Sequence, residues 1–305
     1  MIKTMTKNNN KTLLSILKDP TRNVALVIQG GGMRGVYSAG ILGCFLENGL
    51  GDSFKDVVAN SAGALNAGYF LSAQAGAMNV YIDLLSNKKF INLKRQAKKI
   101  DIDYMVDVAL HNYYPIDLEA LNNAKSKFHV IVTDAQSGKR VIISDHKKFK
   151  EIYEEFRATS ALPVFYDKAV KINKHYFIDG GVSDLIPVLV AASYKPTDIV
   201  VIMTRPLGDY KRRMALTTAT RGLIKQVARN QSLPVQNQLP TNQVRLKHNI
   251  EALQSGQVGD AKIHLLCPTS KLEVGATTIN REKLERVAEL GWADAETFLA
   301  QKVMD

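Results

Sequence analysis

Residues 24–35 read VALVIQGGGMRG, an apolar and β-branched strand followed directly by a glycine-rich turn. Residues 36–47, VYSAGILGCFLE, then predict a helix. Residues 56–73, DVVANSAGALNAGYFLSA, repeat this order, with a short strand over 56–60 and an alanine-rich helix over 62–73. Successive strand–turn–helix units are typical of a parallel sheet whose crossover connections are helices. The sequence therefore predicts an α/β fold with a mainly parallel central sheet flanked by helices.

The rest of the chain extends the same pattern. We expect further strands over residues 128–133, 140–144, 198–203 and 262–267, and a hairpin over 169–173 and 175–179. We expect further helices over residues 13–17, 78–85, 116–120, 148–158 and 187–193, and a largely helical stretch over 206–257. The last two predicted helices cover residues 280–290, ended by Gly291, and 293–303.

Composition sets limits on the class of protein. The 305 residues suffice for one large domain with a sizeable core. Forty Lys and Arg against 29 Asp and Glu give a net charge of +11, which favours nucleic acid, an anionic membrane surface or an acidic substrate. No nucleic-acid-binding module is recognisable, so no nucleic-acid partner is expected.

Cysteines and apolar stretches point to a cytoplasmic protein. Cys44 and Cys267 both lie in apolar runs, which predicts buried free thiols and no metal site. Residues 1–20 lack the apolar core of a signal peptide, and no stretch reaches the ~18 apolar residues that a membrane span needs.

The first motif with chemical meaning is the glycine loop over residues 30–35, GGGMRG. Glycines allow a positive φ and a close approach of the backbone to a ligand. The following helix presents unpaired N–H groups and a partial positive charge, so the loop can cradle a phosphate or the oxyanion of an acyl-transfer intermediate.

A dinucleotide site is an alternative for this loop. Gly30, Gly32 and Gly35 satisfy the G-x-G-x-x-G spacing. That fingerprint also requires an acidic residue at the end of the next strand, where this chain has Asn60 and Ser61 instead. The sequence therefore disfavours a dinucleotide, and a purely structural glycine turn is the other alternative.

The second motif is a strand-to-helix turn with a serine at its centre, formed by Ala59, Asn60, Ser61, Ala62 and Gly63. It predicts a nucleophile elbow, whose tight turn requires small flanking residues. The helix that follows would lower the free-energy cost of a developing alkoxide on Ser61. Such a turn alone is weak evidence, but here it comes one crossover after the glycine loop, so both should meet at one edge of the sheet.

The third motif is a predicted strand that ends in Asp179 and continues as Gly180 and Gly181. A plain turn is the common explanation of Asp-Gly-Gly. A nucleophilic serine needs a base, however, and no histidine lies in a loop with a catalytic signature, the six being His111, His129, His146, His175, His248 and His264. A carboxylate can serve instead if it is close to the serine and shielded from water.

Taken together and in this order, the motifs at 30–35, 60–63 and 179–181 resemble the patatin-like phospholipase family. Residues 157–163, RATSALP, resemble a further stretch of that family, and residues 266–298 resemble the C-terminal extension of a bacterial subgroup. We expect a polar arm, a catalytic domain and a helical extension that completes or packs on the same domain, over residues 1–20, 21–205 and 206–305.

The resemblance implies a three-layer fold and a Ser–Asp dyad without histidine, with Ser61 as nucleophile and Asp179 as base. It implies an oxyanion hole in the glycine loop, braced by Arg34, with candidates Gly30, Gly31, Gly32, Arg34 and Gly35. Ala59 stands where the family usually has glycine. The implied reaction is two-step hydrolysis of a lipid or other carboxylic ester, without metal or organic cofactor.

Two other functions compete with this one. A Ser–His–Asp α/β-hydrolase would need one of the six histidines beside Ser61. A catalytically silent lipid-binding or regulatory protein would keep the fold, although the intact Ser61 and Asp179 argue against it. The sequence carries no signal for the oligomeric state.

Two segments concentrate the basic excess outside the motifs. They are residues 88–99, with Lys88, Lys89, Lys94, Arg95, Lys98 and Lys99, and residues 211–229, with Lys211, Arg212, Arg213, Arg221, Lys225 and Arg229. Both also carry apolar residues, a mixture that suits peripheral contact with an anionic membrane. One hypothesis is therefore that the protein lies at the inner membrane face. The alternative is that these residues form a solvated basic surface.

Overall fold

The computed structural model describes residues 11–144, 149–163, 165–210 and 233–303 of the chain. Its strands are β1 (Lys11–Thr12), β2 (Val24–Ile28), β3 (Asp56–Asn60), β4 (Lys127–Asp134), β5 (Arg140–Ile143), β6 (Val170–Ile172), β7 (His175–Asp179), β8 (Asp198–Ile202), β9 (Gln257–Val258), β10 (Ala261–Leu266) and β11 (Lys302–Val303). Its α-helices are α1 (Leu13–Leu17), α2 (Gly35–Glu47), α3 (Ala62–Leu71), α4 (Ala77–Asn79), α5 (Leu118–Asn122), α6 (Phe149–Ser160), α7 (Val188–Ser193), α8 (Leu233–Ser255) and α9 (Arg281–Leu299).

Short helices of other types supplement these. Gly32–Arg34 and Gly180–Val182 are single 3₁₀ turns. Val80–Leu85 and Tyr104–Tyr113 are π-helical, and no helix was predicted over the second.

One sheet organises the described chain, with the order β6-β7-β4-β3-β2-β8-β10-β9 and β5 alongside β4. The five central strands, β4, β3, β2, β8 and β10, run parallel to one another. Antiparallel pairs occur where β5 and β7 meet β4, and at the two margins. The predicted fold class, α/β with a mainly parallel sheet, is confirmed.

Both faces of the sheet are covered. Leu26 and Ile28 of β2 pack into a large core with α2, α3 and α9, whereas Ala25 and Val27 pack into a second core with α7 and α8. Because successive side chains of a strand point to opposite faces, β2 has to be apolar at every position. This is why residues 24–28 show no polar alternation.

The C-terminal helix corrects the prediction at Gly291. Two helices separated by this glycine were expected, but α9 continues through it from Arg281 to Leu299. A Cβ at Gly291 would overlap the backbone carbonyl of Tyr37 in α2, and one at Gly40 would overlap the carbonyl of Ala288 in α9. Gly291 is therefore a contact point between two tightly packed helices, and its prediction as a helix end is wrong.

The ends of the described chain lie together. Helix α1 is found as expected, its Leu13, Ile16 and Leu17 buried, and β1 pairs with β11. Strands β9 and β10, which lie beyond residue 205, belong to the main sheet. The division of the chain into arm, catalytic domain and extension stays a prediction.

Two further findings concern the membrane and the thiols. Among the described helices, none combines the length and the apolar character needed to cross a bilayer. Cys44 is a buried free thiol as predicted, but Cys267 is only half-buried.

Candidate active site

The register of the sheet brings Ser61 and Asp179 to the same level. Asn60, the last residue of β3, pairs with Ile131 of β4, and the next residue of β4, Val132, pairs with Asp179. Strand β7 runs antiparallel to β4 but pairs only with its last three residues, so Asp179 at the end of β7 still lies near the carboxyl ends of the parallel strands. Two motifs 118 residues apart in the chain thus converge at one edge of the sheet.

Ser61 lies at the turn between β3 and α3 in a strained conformation. Its φ of 51° and ψ of −134° are unusual for a residue other than glycine. Its N–H donates to the hydroxyl of Thr159 at 2.8 Å, and that hydroxyl donates to the carbonyl of Ile131 at 2.6 Å. Because Thr159 is fully buried, these two hydrogen bonds hold the backbone of Ser61 in place.

The small residues of this turn fit the elbow geometry. A Cβ at Gly63 would overlap the carbonyl of Ile28, so glycine is needed for the start of α3 to lie against β2. Ala59 is buried in β3 opposite Ile28, and Ala62 follows Ser61 at the start of the helix. The methyl group of Ala59 is accommodated in the core of the fold.

The Ser61 hydroxyl donates a hydrogen bond to Asp179. The distance from Ser61 Oγ to Asp179 Oδ2 is 2.9 Å, and Asp179 Oδ1 accepts from the N–H of Gly181 at 2.7 Å. A Cβ at Gly180 would overlap the carbonyl of Ile131, so the chain can turn so close to β4 only with glycine here. The aspartate turn is therefore built to hold this carboxylate against the serine.

Burial has the largest effect on the pKa of Asp179, which is only 4% exposed. Loss of hydration raises the pKa of this carboxyl to about 6, although the hydrogen bonds from Gly181 and Ser61 act in the opposite direction. The group is thus ionised at neutral pH, while its pKa lies close enough to neutrality for it to exchange a proton.

Asn60 fastens the glycine loop to the elbow. Its Oδ1 accepts from the N–H of Gly30 at 2.7 Å, and its Nδ2 donates to the carbonyl of Asp184 at 2.6 Å. On the other side, the hydroxyl of Thr204 donates to the carbonyl of Gly30 at 3.2 Å. The position of the glycine loop is therefore coupled to that of Asn60, the residue before Ser61.

The conformation of the loop agrees only in part with the expected positive φ. Gly32 has a φ of 57°, in the left-handed region. Gly31 has a φ of −176°, which any residue can adopt, so the expectation of a positive φ does not hold there. Gly31 is constrained by space instead, because a Cβ would lie 2.6 Å from Thr204 Oγ1.

The backbone N–H groups of the loop are unequally engaged. The N–H of Met33 donates to the carbonyl of Ala276, that of Arg34 to Gly31, and that of Gly35 to the preceding turn. With the N–H of Gly30 held by Asn60, only those of Gly31 and Gly32 donate to no residue that the structure describes. Both glycines line the cavity described next, so these two groups can bind a ligand there.

A cavity of about 220 Å³ opens at Ser61 and Asp179. Its polar end is formed by the dyad residues and the glycine loop, and its other walls are mainly apolar, including Leu85, Phe90, Ile100, Ile102, Met105 and Phe165. A long apolar pocket with a few convergent polar groups is typical of a small-molecule site. Leu85, Ile102 and Met105 were missed from the sequence, since nothing in their local pattern distinguishes them from core residues.

The histidines lie elsewhere in the described chain. His129 contacts Asp56 and Ser144, and His264 contacts Asp198, all near the amino ends of the parallel strands or beside them. His111 stacks on Tyr153. No described histidine lines the cavity, and His146 is outside the described residues.

The chain is also similar in sequence to known proteins. The family described as patatin-like phospholipase matches residues 26–192. The chain is 29% identical to the uncharacterized protein YjjU of Escherichia coli K12 over 195 residues, covering 61% of this chain and 53% of YjjU. It is 27% identical over 179 residues to a Mus musculus protein named 1-acylglycerol-3-phosphate O-acyltransferase Pnpla3, covering 57% of this chain and 43% of that protein.

The chain thus spans about half the length of the curated relatives it matches. Among solved structures, VipD from Legionella pneumophila is similar at 12% sequence identity with a TM-score of 0.44, covering 92% of this chain and 67% of VipD.

Proposed function

Because the chain belongs to the patatin-like phospholipase family, we propose that it is a lipid acyl hydrolase with Ser61 as its nucleophile and Asp179 as its base. One observation carries this proposal. Ser61 Oγ lies 2.9 Å from a buried carboxylate at the polar end of an apolar cavity of about 220 Å³. A nucleophile within hydrogen-bond reach of its base, beside space for an acyl chain, is the arrangement that ester hydrolysis requires.

Acylation is the first step. Ser61 Oγ attacks the ester carbonyl as its proton moves to Asp179 Oδ2, and the carbonyl oxygen becomes an oxyanion. The free N–H groups of Gly31 and Gly32 stabilise that oxyanion. The intermediate then collapses, and the alcohol leaves with the proton from Asp179, so that an acyl ester remains on Ser61.

Deacylation reverses these roles with water. Asp179 takes a proton from a water molecule, the resulting hydroxide attacks the acyl carbonyl, and the Gly31 and Gly32 donors again stabilise the oxyanion. The bond to Ser61 Oγ breaks, the serine regains the proton, and the fatty acid is released. Besides the ester and the water molecule, both steps use Ser61, Asp179 and the N–H groups of Gly31 and Gly32.

The electrostatic setting favours Asp179 as the base. A fully solvated carboxylate is a weak base, whereas burial raises the pKa of Asp179 to about 6. The closer match to the operating pH strengthens general-base catalysis. A histidine-dependent triad is less well supported, since no described histidine lines the cavity.

Labelling with a fluorophosphonate probe tests the proposal. The wild-type chain should be labelled at Ser61 and should hydrolyse short-chain aryl esters, and Ser61→Ala should lose both properties while its melting temperature is retained. Ser160 provides a matched control, because it also lines the cavity. Ser160→Ala should keep the label, and a label that survives in Ser61→Ala would end the proposal.

A further inference from the structure

A basic loop, residues 88–100, contributes Phe90 and Ile100 to the cavity wall and contains the whole basic segment 88–99. It is closed by a bridge between Ile91 and Ile100, and Asn92 N–H donates to the carbonyl of Lys99 at 2.8 Å. The loop is therefore held closed between residues 91 and 100.

Arg95 stabilises this loop by hydrogen bonds to its backbone. Its guanidinium donates to the carbonyls of Lys88 and Lys89, both at 2.8 Å, and to that of Lys98 at 3.2 Å. Lys98 pairs with Asp103, and Arg95 lies 3.8 Å from Asp101. Two of the six basic side chains of the segment thus stabilise the loop itself.

The buried and the exposed side chains of this segment differ in chemistry. Phe90 and Ile100 are buried and line the cavity. At the surface, Lys88, Lys89 and Lys94 are exposed and form no ion pair with a residue that the structure describes, and Leu93 between them is 53% exposed. Leu93 is one of the few large apolar side chains so exposed in the described chain.

We propose that these exposed side chains form a docking surface for an anionic lipid bilayer, with Lys88, Lys89 and Lys94 at the lipid head groups and Leu93 inserted among them. Cationic side chains around an exposed apolar one are the combination that binds an anionic interface. Phe90 and Ile100 of the same loop line the cavity, so a docked chain has its site near the lipid. The inference rests on the proposed function for its purpose, but the binding can be measured without catalysis.

Leu93 favours a bilayer over nucleic acid as the occupant. Lysines alone would suit a phosphate backbone equally well. An aliphatic side chain can neither hydrogen-bond to the edge of a base nor stack on its face. It gains free energy, however, by entering the acyl region of a bilayer. The second basic segment, residues 211–229, lies outside the described residues, and the proposal does not depend on it.

Cosedimentation with vesicles tests the surface, with Ser61→Ala as the background so that no lipid is consumed. This chain should bind vesicles of phosphatidylglycerol and phosphatidylcholine but not of phosphatidylcholine alone, and binding should weaken as salt rises from about 0.05 to 0.5 M. The triple variant Lys88→Gln/Lys89→Gln/Lys94→Gln should bind on the order of 100-fold more weakly, at roughly 5-fold per lysine. Leu93→Gln should weaken binding in a way that salt changes little.

A matched control removes the same charge at the opposite edge of the sheet. Lys55, Lys127 and Lys262 are exposed at the amino ends of β3, β4 and β10, away from Ser61. The triple variant Lys55→Gln/Lys127→Gln/Lys262→Gln should retain binding within about 3-fold, since these lysines would face away from the membrane.

Several outcomes would overturn the docking surface: no vesicle binding, equal binding to neutral vesicles, or equal losses in both triple variants. If a short DNA duplex binds as tightly as anionic vesicles do, and loss of the loop lysines weakens both equally, nucleic acid is the occupant instead. With Ser61 intact, the triple lysine variant should hydrolyse a soluble short-chain ester as fast as the wild-type chain does. If that hydrolysis is absent while vesicle binding behaves as expected, the proposed function fails and the docking surface stands.

Discussion

The side chain of Asn60 accepts a hydrogen bond from the N–H of Gly30 at 2.7 Å, which ties the glycine loop to the residue just before Ser61. The same side chain donates to the carbonyl of Asp184 at 2.6 Å, five residues after the candidate base. Asn60 is fully buried, so neither bond competes with water. One amide thus sets the relative positions of the three loops that form the site.

Asn60→Ala should therefore damage turnover more than substrate binding. Both partners would lose a buried hydrogen bond, and each such loss costs about 1–3 kcal/mol of the free energy of unfolding. The loop that carries the Gly31 and Gly32 donors would shift, and a displacement of about 1 Å can lower kcat by about 10²-fold. Steady-state kinetics on a short-chain ester and urea denaturation measure the two effects.

Asn249→Ala is the matched control for Asn60. Asn249 is also fully buried, and it bonds Asp184 Oδ1 at 3.0 Å and the N–H of Leu189, but it does not contact the glycine loop. Its loss should lower the free energy of unfolding by a similar amount and kcat by less than about 10-fold. Equal kcat losses in the two variants would mean that Asn60 acts only through stability.

Alanine at Gly31 or Gly32 should lower kcat by about 10²-fold, the scale of one lost oxyanion donor. The reasons differ. At Gly32 the φ of 57° disfavours alanine and a Cβ would lie 2.6 Å from the carbonyl of Ala276, whereas at Gly31 the obstacle is the side chain of Thr204. Adding Thr204→Ala should thus recover part of the kcat lost in Gly31→Ala and none of that lost in Gly32→Ala. Unchanged kcat in both glycine variants would place the oxyanion hole elsewhere.

The pH dependence of kcat/KM should show one acidic limb. Asp179 must be ionised to accept the proton from Ser61, and its pKa is raised to about 6 by burial. Activity should therefore be constant above about pH 7 and fall tenfold per pH unit well below pH 6. A soluble aryl ester followed from pH 4.5 to 9 measures this profile. A limb that stays near pH 4, where an ordinary aspartate titrates, would contradict the role of burial.

The sequence predicted the sheet and the three motifs because their signals are local. An apolar run of β-branched residues, a glycine turn and a small-residue elbow each specify their own backbone. The rest depends on contacts between distant segments. Gly291 resembles a helix end until the backbone of Tyr37 is found against it, and Gly31 needs glycine only because Thr204 is adjacent. The apolar wall formed by Leu85 and Met105 likewise exists only after the chain is folded.

Gly291→Ala should destabilise the fold, against the usual trend for a glycine inside a helix. In an isolated helix this change stabilises by about 1 kcal/mol. Here the new Cβ would overlap the carbonyl of Tyr37, so α9 would have to move away from α2, a cost of about 1–3 kcal/mol or more. Gly208→Ala, whose Cβ would meet nothing within 4 Å in the part of the chain that the structure describes, is the control and should be neutral or slightly stabilising. Thermal denaturation of both variants decides, and a more stable Gly291→Ala would contradict the close packing.

Asp179→Asn should raise the free energy of unfolding at alkaline pH while it abolishes hydrolysis. In the unfolded chain the carboxyl has its ordinary pKa of 3.8, and in the folded chain burial raises that pKa to about 6. Between these values the folded state binds the proton more tightly, so stability falls as the pH rises through this interval. Above pH 6 the ionised, buried carboxylate costs roughly 3 kcal/mol, at about 1.4 kcal/mol per pKa unit.

Asparagine removes that charge but keeps an oxygen that can accept from Gly181 and a polar group beside Ser61. The free energy of unfolding of Asp179→Asn, measured with urea, should therefore exceed that of the wild type by about 1–3 kcal/mol at pH 8, and the difference should shrink toward pH 4. A variant that is less stable at pH 8, or a difference that does not change with pH, would contradict the assigned cause. Loss of activity together with a gain in stability is expected of a group retained for its chemistry, because strain at a functional site is tolerated only for what it does there.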